Sequence, residues 1–319
     1  MSSTFPNLQV QRTGAIALTV SDVDRSTAFY TQVLEFELVS DLTLVDETLL
    51  EGRSGDVRVR VVRLRLGVEQ IELMQYLNVE SQPLPPDSRS NDLWFQHFAI
   101  VVSDMEAAYA RLRAVPVEPI SSGPQVFPPE NEASAHIRAF KFKDPDRHNL
   151  EIIWFPPDKS QDKWQQPTDR LFLGIDHSAI AAADTEAGLR FYRDRLGLPM
   201  KGQSFNWREV QARLDDLPSA AVQVTSLQPD QGAIGIELLD YRKPGTGRPT
   251  LADWQRSDIP HMHIELFVTD LEAAADALGA DGVETAPLKL VKPEDSSLYR
   301  QGVLIKDPNG HALLLLELE

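Results

Sequence analysis

The sequence predicts an α+β protein built from four βαβββ modules, and three observations lead to this prediction. At four places a strand-like apolar segment runs directly into a helical pattern with a capping residue at its start. Each of these segments is followed by further short strand patterns, separated by Pro-, Gly- and Asp-containing turns. The second half of the chain also repeats the first at nearly constant spacing, since Glu72 matches Glu237 and His97 matches His263. A tandem duplication explains this repetition.

The first two modules are predicted to pair as one domain over residues 1–157. Module 1 opens with GAIALTVSDVDRSTAFYTQVLEF, a strand and a helix that Ser21 can cap, and continues with the strands DVRVRVVRLRLG and QIELMQY. Module 2 opens with FQHFAIVVSDMEAAYARLRA, in which Ser103 is the candidate cap. It closes with AFKFKDPDRHNLEIIWF, two strands around an Asp-Pro-Asp turn.

The other two modules are predicted to form a second domain over residues 171–319. A polar, proline-containing segment with no clear period, residues 158–170, reads as the linker between the domains. Module 3 opens with LGIDHSAIAAADTEAGLRFYRDRLGL, and its later strands are AAVQVTSL and AIGIELLDY. Module 4 runs from HMHIELFVTDLEAAADALG to GVLIKDPNGHALLLLELE, with a turn at Asp-Pro-Asn-Gly.

Composition and charge limit the classes of function. The chain has 319 residues, enough for two domains that each bury a core. Its formal net charge of −17 argues against nucleic acid or an anionic membrane as a partner, because both require clustered Lys and Arg. The absence of cysteine excludes disulfides, thiolate nucleophiles and Cys-based metal sites. No long apolar run and no signal-peptide pattern occur, so we expect a cytoplasmic protein with a small-molecule partner. The sequence leaves open whether the domains pair within one chain or across a homodimer.

Three glutamates lie in the middle of predicted strands. Glu72, Glu151 and Glu237 are each flanked by apolar residues, so strand alternation places those neighbours on one face and the carboxylate on the other. Such a carboxylate is either solvated on an open sheet face or paired with a cation or a metal. Tyr76 and Tyr241 follow two of these glutamates by four residues and point the same way, so they line a pocket or pack in the core.

The motifs together resemble the vicinal oxygen chelate superfamily, the group of glyoxalases, bleomycin resistance proteins and extradiol dioxygenases. They are HxxxxxxD before a helix, FYxxxLG within it, IEL in a strand and DPxGHxxE at the end of a module. The resemblance covers nearly the whole chain apart from the N-terminal tail and the linker. It implies that βαβββ modules pair, and that each pair wraps a cupped mixed sheet around a divalent metal.

The resemblance also implies up to four metal ligands in each cup. With consecutive modules paired, domain 1 would offer Glu72, His97 and Glu151, with Ala15 at the fourth position. Domain 2 would offer His177, Glu237 and His263, with Leu314 at the fourth position. Each domain would therefore keep three of four ligands. Imidazole and carboxylate together suit Fe²⁺, Zn²⁺, Ni²⁺ or Mn²⁺.

Three functions fit these ligand sets. The first is an extradiol-type dioxygenase with an open metal site in domain 2, where His261, two residues from His263, could transfer protons or act as an alternative ligand. The second is a glyoxalase-like lyase or isomerase in domain 1, with Glu151 as the carboxylate base. The third is a non-catalytic small-molecule-binding or resistance protein. The resemblance favours a metal-dependent enzyme, with the dioxygenase as the leading hypothesis.

Overall fold

The computed structural model of the protein describes residues 8–49, 56–229, 231 and 234–318. The first seven residues of the N-terminal segment, where no signal peptide is expected, lie outside the described residues. Within the described part, no helix is both long enough and apolar enough to cross a membrane. The fold is α+β, as predicted, and consists mainly of curled mixed sheets with few helices.

All four modules contain the predicted order of elements, and modules 2 and 3 carry additions. Module 1 comprises β1 (Arg12–Thr19), α1 (Val23–Gln32), β2 (Glu37–Asp46), β3 (Val57–Leu66) and β4 (Glu69–Tyr76). Module 2 comprises β5 (Gln96–Val102), α2 (Met105–Arg113), the two-residue strands β6 (Glu118–Pro119) and β7 (Gln125–Val126), β8 (Arg138–Lys143) and β9 (Asn149–Trp154). A 3₁₀ turn, Asp162–Trp164, lies in the predicted linker.

The second half of the chain continues the same pattern. Module 3 comprises β10 (Phe172–Ala182), α3 (Thr185–Leu189) with a π-helical continuation (Arg190–Arg195), β11 (Met200–Asn206), α4 (Arg208–Asp215), β12 (Ala221–Leu227) and β13 (Gly235–Lys243). Module 4 comprises β14 (Met262–Val268), α5 (Leu271–Ala280), β15 (Thr285–Val291), β16 (Leu298–Lys306) and β17 (Ala312–Glu317). Helix α4 is the addition in module 3.

The predicted pairing of consecutive modules was wrong. Strand β1 of module 1 pairs antiparallel with β14 of module 4, and β5 of module 2 pairs antiparallel with β10 of module 3. Each sheet therefore takes one module from residues 1–157 and one from residues 171–319. Strand alternation shows which face of a module must be buried, but both pairings bury the same faces, so the pattern could not decide between them.

Modules 1 and 4 form a closed eight-stranded barrel, in the order β1-β14-β17-β16-β15-β2-β3-β4. Strands β2 and β15 close it, with Val45 opposite Val291. Its interior is filled by a cluster of buried side chains: Ala17, Leu44, Val57, Val59, Val61, Met74, Tyr76, Leu288, Leu290, Leu304, Leu314 and Leu316. The barrel interior is therefore largely a packed core.

Modules 2 and 3 form a nine-stranded sheet that does not close. Its order is β11-β12-β13-β10-β5-β9-β8-β6, with β7 paired to β8. Helix α4 contacts β7 and β8, which lie near one edge of this sheet, and β12, which lies near the opposite edge. It adds Leu214 to a small apolar cluster with Phe127 and Ala139. The concave side of the sheet thus keeps a cavity, and α4 forms part of its wall.

An aspartate caps the helix that follows the first strand of every module. The four caps are Asp22, Asp104, Asp184 and Asp270, each accepting a hydrogen bond from a backbone N–H in the first turn. The predicted caps Ser21 and Ser103 were one residue too early. The Ser103 hydroxyl instead donates to the Arg170 carbonyl at 2.9 Å, because it precedes the helix and faces the neighbouring chain segment.

The Phe-Tyr and Asp-Pro motifs are joined by a buried hydrogen bond in each half of the chain. The Tyr30 hydroxyl donates to Asp144 at 2.9 Å, and the Tyr192 hydroxyl donates to Asp307 at 3.1 Å. Modules 1 and 2 are thereby tied together although they contribute to different sheets. His148 adds to the first tie, since its Nδ1 lies 3.0 Å from Asp144 and its Nε2 2.9 Å from the Ile259 carbonyl.

His148 gives the fold a pH dependence of defined sign. Burial alone would lower its pKa, but the charge of Asp144 and the hydrogen bond to it outweigh burial, so the pKa is raised. A histidine with a raised folded pKa contributes stability that is fully present below its unfolded pKa of about 6.5. That stability is lost as the pH rises through the folded pKa. We expect urea denaturation to show that His148→Asn costs less free energy of unfolding at alkaline than at mildly acidic pH; an equal cost at both would contradict this.

Candidate metal centre

Four strands that lie side by side in the open sheet place two imidazoles and two carboxylates on one face. These residues are His97 on β5, Glu151 on β9, His177 on β10 and Glu237 on β13. In the ladder, Ala179 lies between His97 and Glu237, and Ala99 pairs with both Glu151 and His177. Both alanines are fully buried. Because an alanine side chain is small, neither alanine fills the space between the four functional groups.

The side-chain atoms converge. His97 Nε2 lies 3.4 Å from Glu151 Oε2, and His177 Nε2 lies 3.8 Å from the same oxygen. Glu237 Oε2 lies 3.4 Å from His177 Nε2 on the other side. Ligand atoms of His97, Glu151 and His177 all lie within 4.8 Å of one another, which is close enough for one metal ion to contact all three.

Burial and neighbouring charges set the protonation states of this cluster. Burial, helped by the charge of Lys141, lowers the pKa of His97 to about 4, so its imidazole is neutral at pH 7. Burial would raise the pKa of Glu151, but the adjacent imidazoles and Lys141 outweigh it and hold this pKa at about 2. For His177, burial is outweighed by the charges of Glu237 and Asp176, which raise its pKa to about 9.

The residues present fit a divalent metal. Neither ring nitrogen of His97 has a hydrogen-bond partner among the described residues, although the side chain is almost fully buried. A buried polar atom without a partner is costly, so its presence here calls for an explanation. A metal ion bonded to His97 Nε2 supplies one. It would also take over the role of the proton on His177 and neutralise the two carboxylates.

Two further side chains orient the cluster. Asp176 accepts from His177 Nδ1 at 3.0 Å, which turns Nε2 of that ring toward Glu151 and Glu237. The hydroxyl of Ser226 donates to Glu237 Oε1 at 2.6 Å, leaving Oε2 facing His177. Such outer partners fix the rotamer and tautomer of metal ligands. Neither was predicted, because Asp176 and Ser226 carry no motif of their own.

A cavity of about 250 Å³ opens beside the cluster. Its lining includes all four groups, an apolar wall with Phe127 and Phe155, and the α4 residues Gln211 and Leu214. Lys141 on β8 is also part of the lining and is almost fully buried, next to Glu151 in the strand register. The sequence does carry a signal for it, since Lys141 stands between Phe140 and Phe142 as the glutamates stand between their apolar neighbours.

The equivalent positions of the barrel do not form a metal centre. Ala15 and Leu314 occupy the places that His177 and Glu151 hold in the open sheet, so both missing ligands fall in the same cup. The prediction that each cup keeps three of four ligands was therefore wrong. One cup has four candidate ligands, and the other has two.

Glu72, predicted to ligate a metal, is held by arginines. Arg300 donates to both of its carboxylate oxygens at 2.6 Å, and Arg63 donates to Oε1 from two nitrogens. Burial opposes ionisation of Glu72, but the two guanidinium groups outweigh it and lower its pKa to about 2. Arg300 also lies 3.0 Å from Glu265, whose pKa burial raises. Arginine side chains thus balance these carboxylates in the barrel.

His263 and His261 lie in the barrel as well, away from the cluster. His263 on β14 belongs to the other sheet from His177 and Glu237, so the predicted ligand set of domain 2 is not assembled. His261 Nε2 lies 3.0 Å from His263 Nδ1, and His261 lines a separate cavity of about 190 Å³. His261 is therefore not brought to the candidate metal centre.

The two tyrosines predicted for a substrate pocket are buried: Tyr76 packs in the barrel interior, and Tyr241 packs with Ala179 and Leu239 without lining the cavity. The Tyr241 hydroxyl donates to Asp215 at 3.1 Å, and the Tyr76 hydroxyl lies 3.5 Å from Asp46. Each hydroxyl thus orients an aspartate. Tyr241 influences the cavity only through Asp215, which in turn binds Lys141 at 2.6 Å.

Known proteins of similar sequence and structure were identified by comparison. The model of the Glyoxalase/Bleomycin resistance protein/Dioxygenase superfamily matches residues 12–152 and 174–315. A 2-epi-5-epi-valiolone epimerase from an Actinomyces species is 30% identical over 153 residues, which are 44% of this chain and 78% of that protein.

Two solved structures resemble almost the whole chain. Glyoxalase I from Zea mays has a TM-score of 0.58 at 15% identity, covering 97% of this chain and 92% of the maize chain. A proposed dioxygenase from Bacillus subtilis has a TM-score of 0.56 at 13% identity, covering 98% of this chain and 85% of that chain. At these identities the two structures show a shared fold only.

Proposed function

Because the chain belongs to the glyoxalase/bleomycin resistance protein/dioxygenase superfamily, we propose that it is a divalent-metal-dependent isomerase or epimerase that moves a proton at a carbon beside a carbonyl group. The observation that supports this most directly is the meeting of His97, Glu151 and His177, with Glu237 next to them, in one cavity.

These four side chains would hold the metal. When bound, the metal would act as a Lewis acid toward two adjacent oxygens of the substrate. Asp176 keeps His177 in the tautomer whose Nε2 faces the centre, and Ser226 fixes Glu237. The apolar wall with Phe127 and Phe155 would limit the access of water to the reacting carbon.

Glu151 is the proposed base. The neighbouring imidazoles and Lys141 lower its pKa and keep it ionised, which is the protonation state that a base requires. Glu237 is held by the Ser226 hydroxyl, whereas no hydroxyl or amide of the described residues donates to the Glu151 carboxylate. Glu151 is therefore the carboxylate with more freedom to accept a proton from the substrate.

The donor set favours proton transfer over oxygen chemistry. Extradiol-type iron sites use two histidines and one carboxylate, which leaves several positions open. Here a second carboxylate, Glu237, lies within 3.4 Å of His177 and would occupy one of those positions. The extradiol hypothesis also depended on His263, which lies in the barrel. The curated relative named as an epimerase agrees with an isomerase-type reaction.

The test is the exchange of a carbon-bound hydrogen of a simple α-hydroxy ketone for deuterium from the solvent. We expect the protein loaded with Zn²⁺, Ni²⁺, Mn²⁺ or Fe²⁺ to exchange the C2 hydrogen of 2-hydroxycyclohexanone for deuterium in D₂O, followed by NMR. With metal at saturating concentration, Glu151→Gln should slow the exchange by about 10²- to 10⁴-fold, the usual contribution of a positioned base. His263→Ala, the equivalent of His97 in the barrel, is the matched control and should exchange at the wild-type rate.

Two outcomes would overturn the proposal. The first is the absence of exchange above the level of free metal with every loaded metal. The second is oxygen-dependent ring opening of catechol by the iron-loaded protein without hydrogen–deuterium exchange in the ketone. That result would support the extradiol hypothesis instead. Exchange at equal rates in air and under nitrogen supports the isomerase.

A further inference from the structure

We propose that Gln211 and Lys141 form a hydroxyl-binding subsite in the cavity of the open sheet, and that the substrate is a small carbonyl compound with a hydroxyl group remote from its metal-binding oxygens. The inference rests on the proposed function, since the metal centre defines which end of the substrate reacts. The subsite itself is built from residues outside the candidate ligand set.

One buried carboxylate holds both side chains. Asp215, the last residue of α4, accepts from Lys141 Nζ through Oδ1 at 2.6 Å and from Gln211 Nε2 through Oδ2 at 2.6 Å. The Tyr241 hydroxyl donates to the same Oδ2 at 3.1 Å. Asp215 is almost completely buried. The ammonium and the amide are therefore fixed side by side at the cavity wall, because they share a carboxylate that is itself held in place.

The orientation of the Gln211 amide follows from this contact. An ionised carboxylate only accepts hydrogen bonds, so the NH₂ group must face Asp215 and Oε1 must face away from it. Gln211 Oε1 has no hydrogen-bond partner among the described residues, although the side chain is more than nine-tenths buried and lines the cavity. It is an acceptor that lacks a donor.

Lys141 supplies the complementary groups. Its ammonium carries three N–H donors, and Asp215 is its only hydrogen-bond partner among the described residues. Two donors thus remain at the wall of the same cavity as the unpartnered acceptor. The hydrogen bond from Nζ to the buried Asp215 carboxylate favours the charged form of the side chain.

An adjacent donor and acceptor match a hydroxyl group. A hydroxyl accepts from Lys141 and donates to Gln211 Oε1 at the same time. A carboxylate in this place would satisfy Lys141 but would face Gln211 Oε1 without a proton to offer, and an ammonium group would be repelled by Lys141. The subsite therefore selects an alcohol over either charged group.

The barrel provides an internal comparison. Lys141 pairs with Glu151 in the register of β8 and β9, and Leu304 pairs with Leu314 at the equivalent place on β16 and β17. The same strands therefore fold with leucine where the open sheet has lysine. The lysine therefore occurs in the sheet that carries the candidate metal ligands, and the strand pairing itself does not require it.

The experiment compares two ketones bound to the Co²⁺-loaded protein. One is 2-hydroxycyclohexanone, which has only the chelating pair of oxygens, and the other is pentahydroxycyclohexanone, which adds remote hydroxyls. Dissociation constants are measured from the Co²⁺ absorption spectrum. We expect wild type to bind the pentahydroxy ketone about tenfold more tightly, as one or two well-formed hydrogen bonds allow.

The variants assign that preference to the subsite. Gln211→Leu should bring the ratio of the two constants close to one, with little change for 2-hydroxycyclohexanone. Lys141→Met should also bring this ratio close to one. Gln223→Leu is the matched control, because Gln223 donates to backbone carbonyls on β11 and β12 and is not part of the cavity lining. It should keep the wild-type ratio. Gln211→Met, which nearly preserves volume, replaces the first variant if that one does not fold.

The outcomes separate this inference from the proposed function. If the protein loads Co²⁺ but binds both ketones equally or binds neither, the subsite proposal is wrong. It is also wrong if the variants keep the wild-type ratio. If the protein does not load metal at all, the proposed function fails first, and the measurement of metal content identifies that case.

Discussion

Replacing His97 by alanine should remove the metal from the protein, whereas the same change at His263 should leave the metal content unchanged. The two histidines occupy equivalent places on β5 and β14, but among the described residues only His97 belongs to a group of three candidate ligands close enough to share one metal ion. Loss of an outer partner of a metal ligand already costs about 10- to 100-fold in affinity, so loss of a ligand should cost at least that. Elemental analysis after dialysis against a weak chelator measures the effect.

This pair of variants also tests how the modules are assembled. If consecutive modules formed the cups, His97 and His263 would each serve a separate three-ligand site, and each variant would lose part of the metal. Retention of full metal content by His97→Ala, or a loss in His263→Ala as large as in His97→Ala, would refute the single-centre arrangement. Circular dichroism shows whether either protein has unfolded.

The largest effect on stability is expected at Glu72, in the barrel. Glu72→Gln leaves Arg300 and Arg63 with one fewer buried carboxylate, and breaking a buried ion pair typically costs about 3–5 kcal/mol in the free energy of unfolding. Urea denaturation measures this loss. Glu209→Gln, which breaks the exposed pair with Arg213, is the control and should cost no more than about 1 kcal/mol.

A double variant separates the charge effect from packing. Glu72→Met combined with Arg300→Met removes both partners, and apolar replacement of a whole buried pair is often neutral. We expect it to be more stable than Glu72→Gln alone. A double variant that is less stable than the single one would show that the pair contributes net stability. None of these changes should alter metal content, because Glu72 lies in the barrel.

The sequence predicted the local structure of this protein better than its assembly. The repeated apolar patterns gave the βαβββ order, and the isolated glutamates on strands marked Glu151 and Glu237 as side chains of the concave face. The choice of partner module was not predictable, because it depends on whether β5 pairs with β1 or with β10, and both have suitable apolar faces. That one choice misassigned Glu72 and His263.

Other parts of the site depend on elements without a recognisable motif. Asp215 comes from α4, an addition between β11 and β12, and its contact with Lys141 joins residues far apart in the chain. Asp176 adjoins His177 in sequence, but its role follows from the rotamer of the imidazole, which alternation does not determine. Long-range side-chain geometry of this kind becomes visible only when the sheets are assembled.

The interleaved pairing of modules also bears on how the two halves of the chain diverged. Ala15 and Leu314 lie at opposite ends of the polypeptide and in different copies of the duplicated unit. In space they belong to one barrel, where arginines now balance the remaining carboxylates. The differences between equivalent positions are therefore grouped by sheet rather than by half of the chain: the open sheet carries the four candidate ligands, and the barrel carries carboxylates paired with arginine.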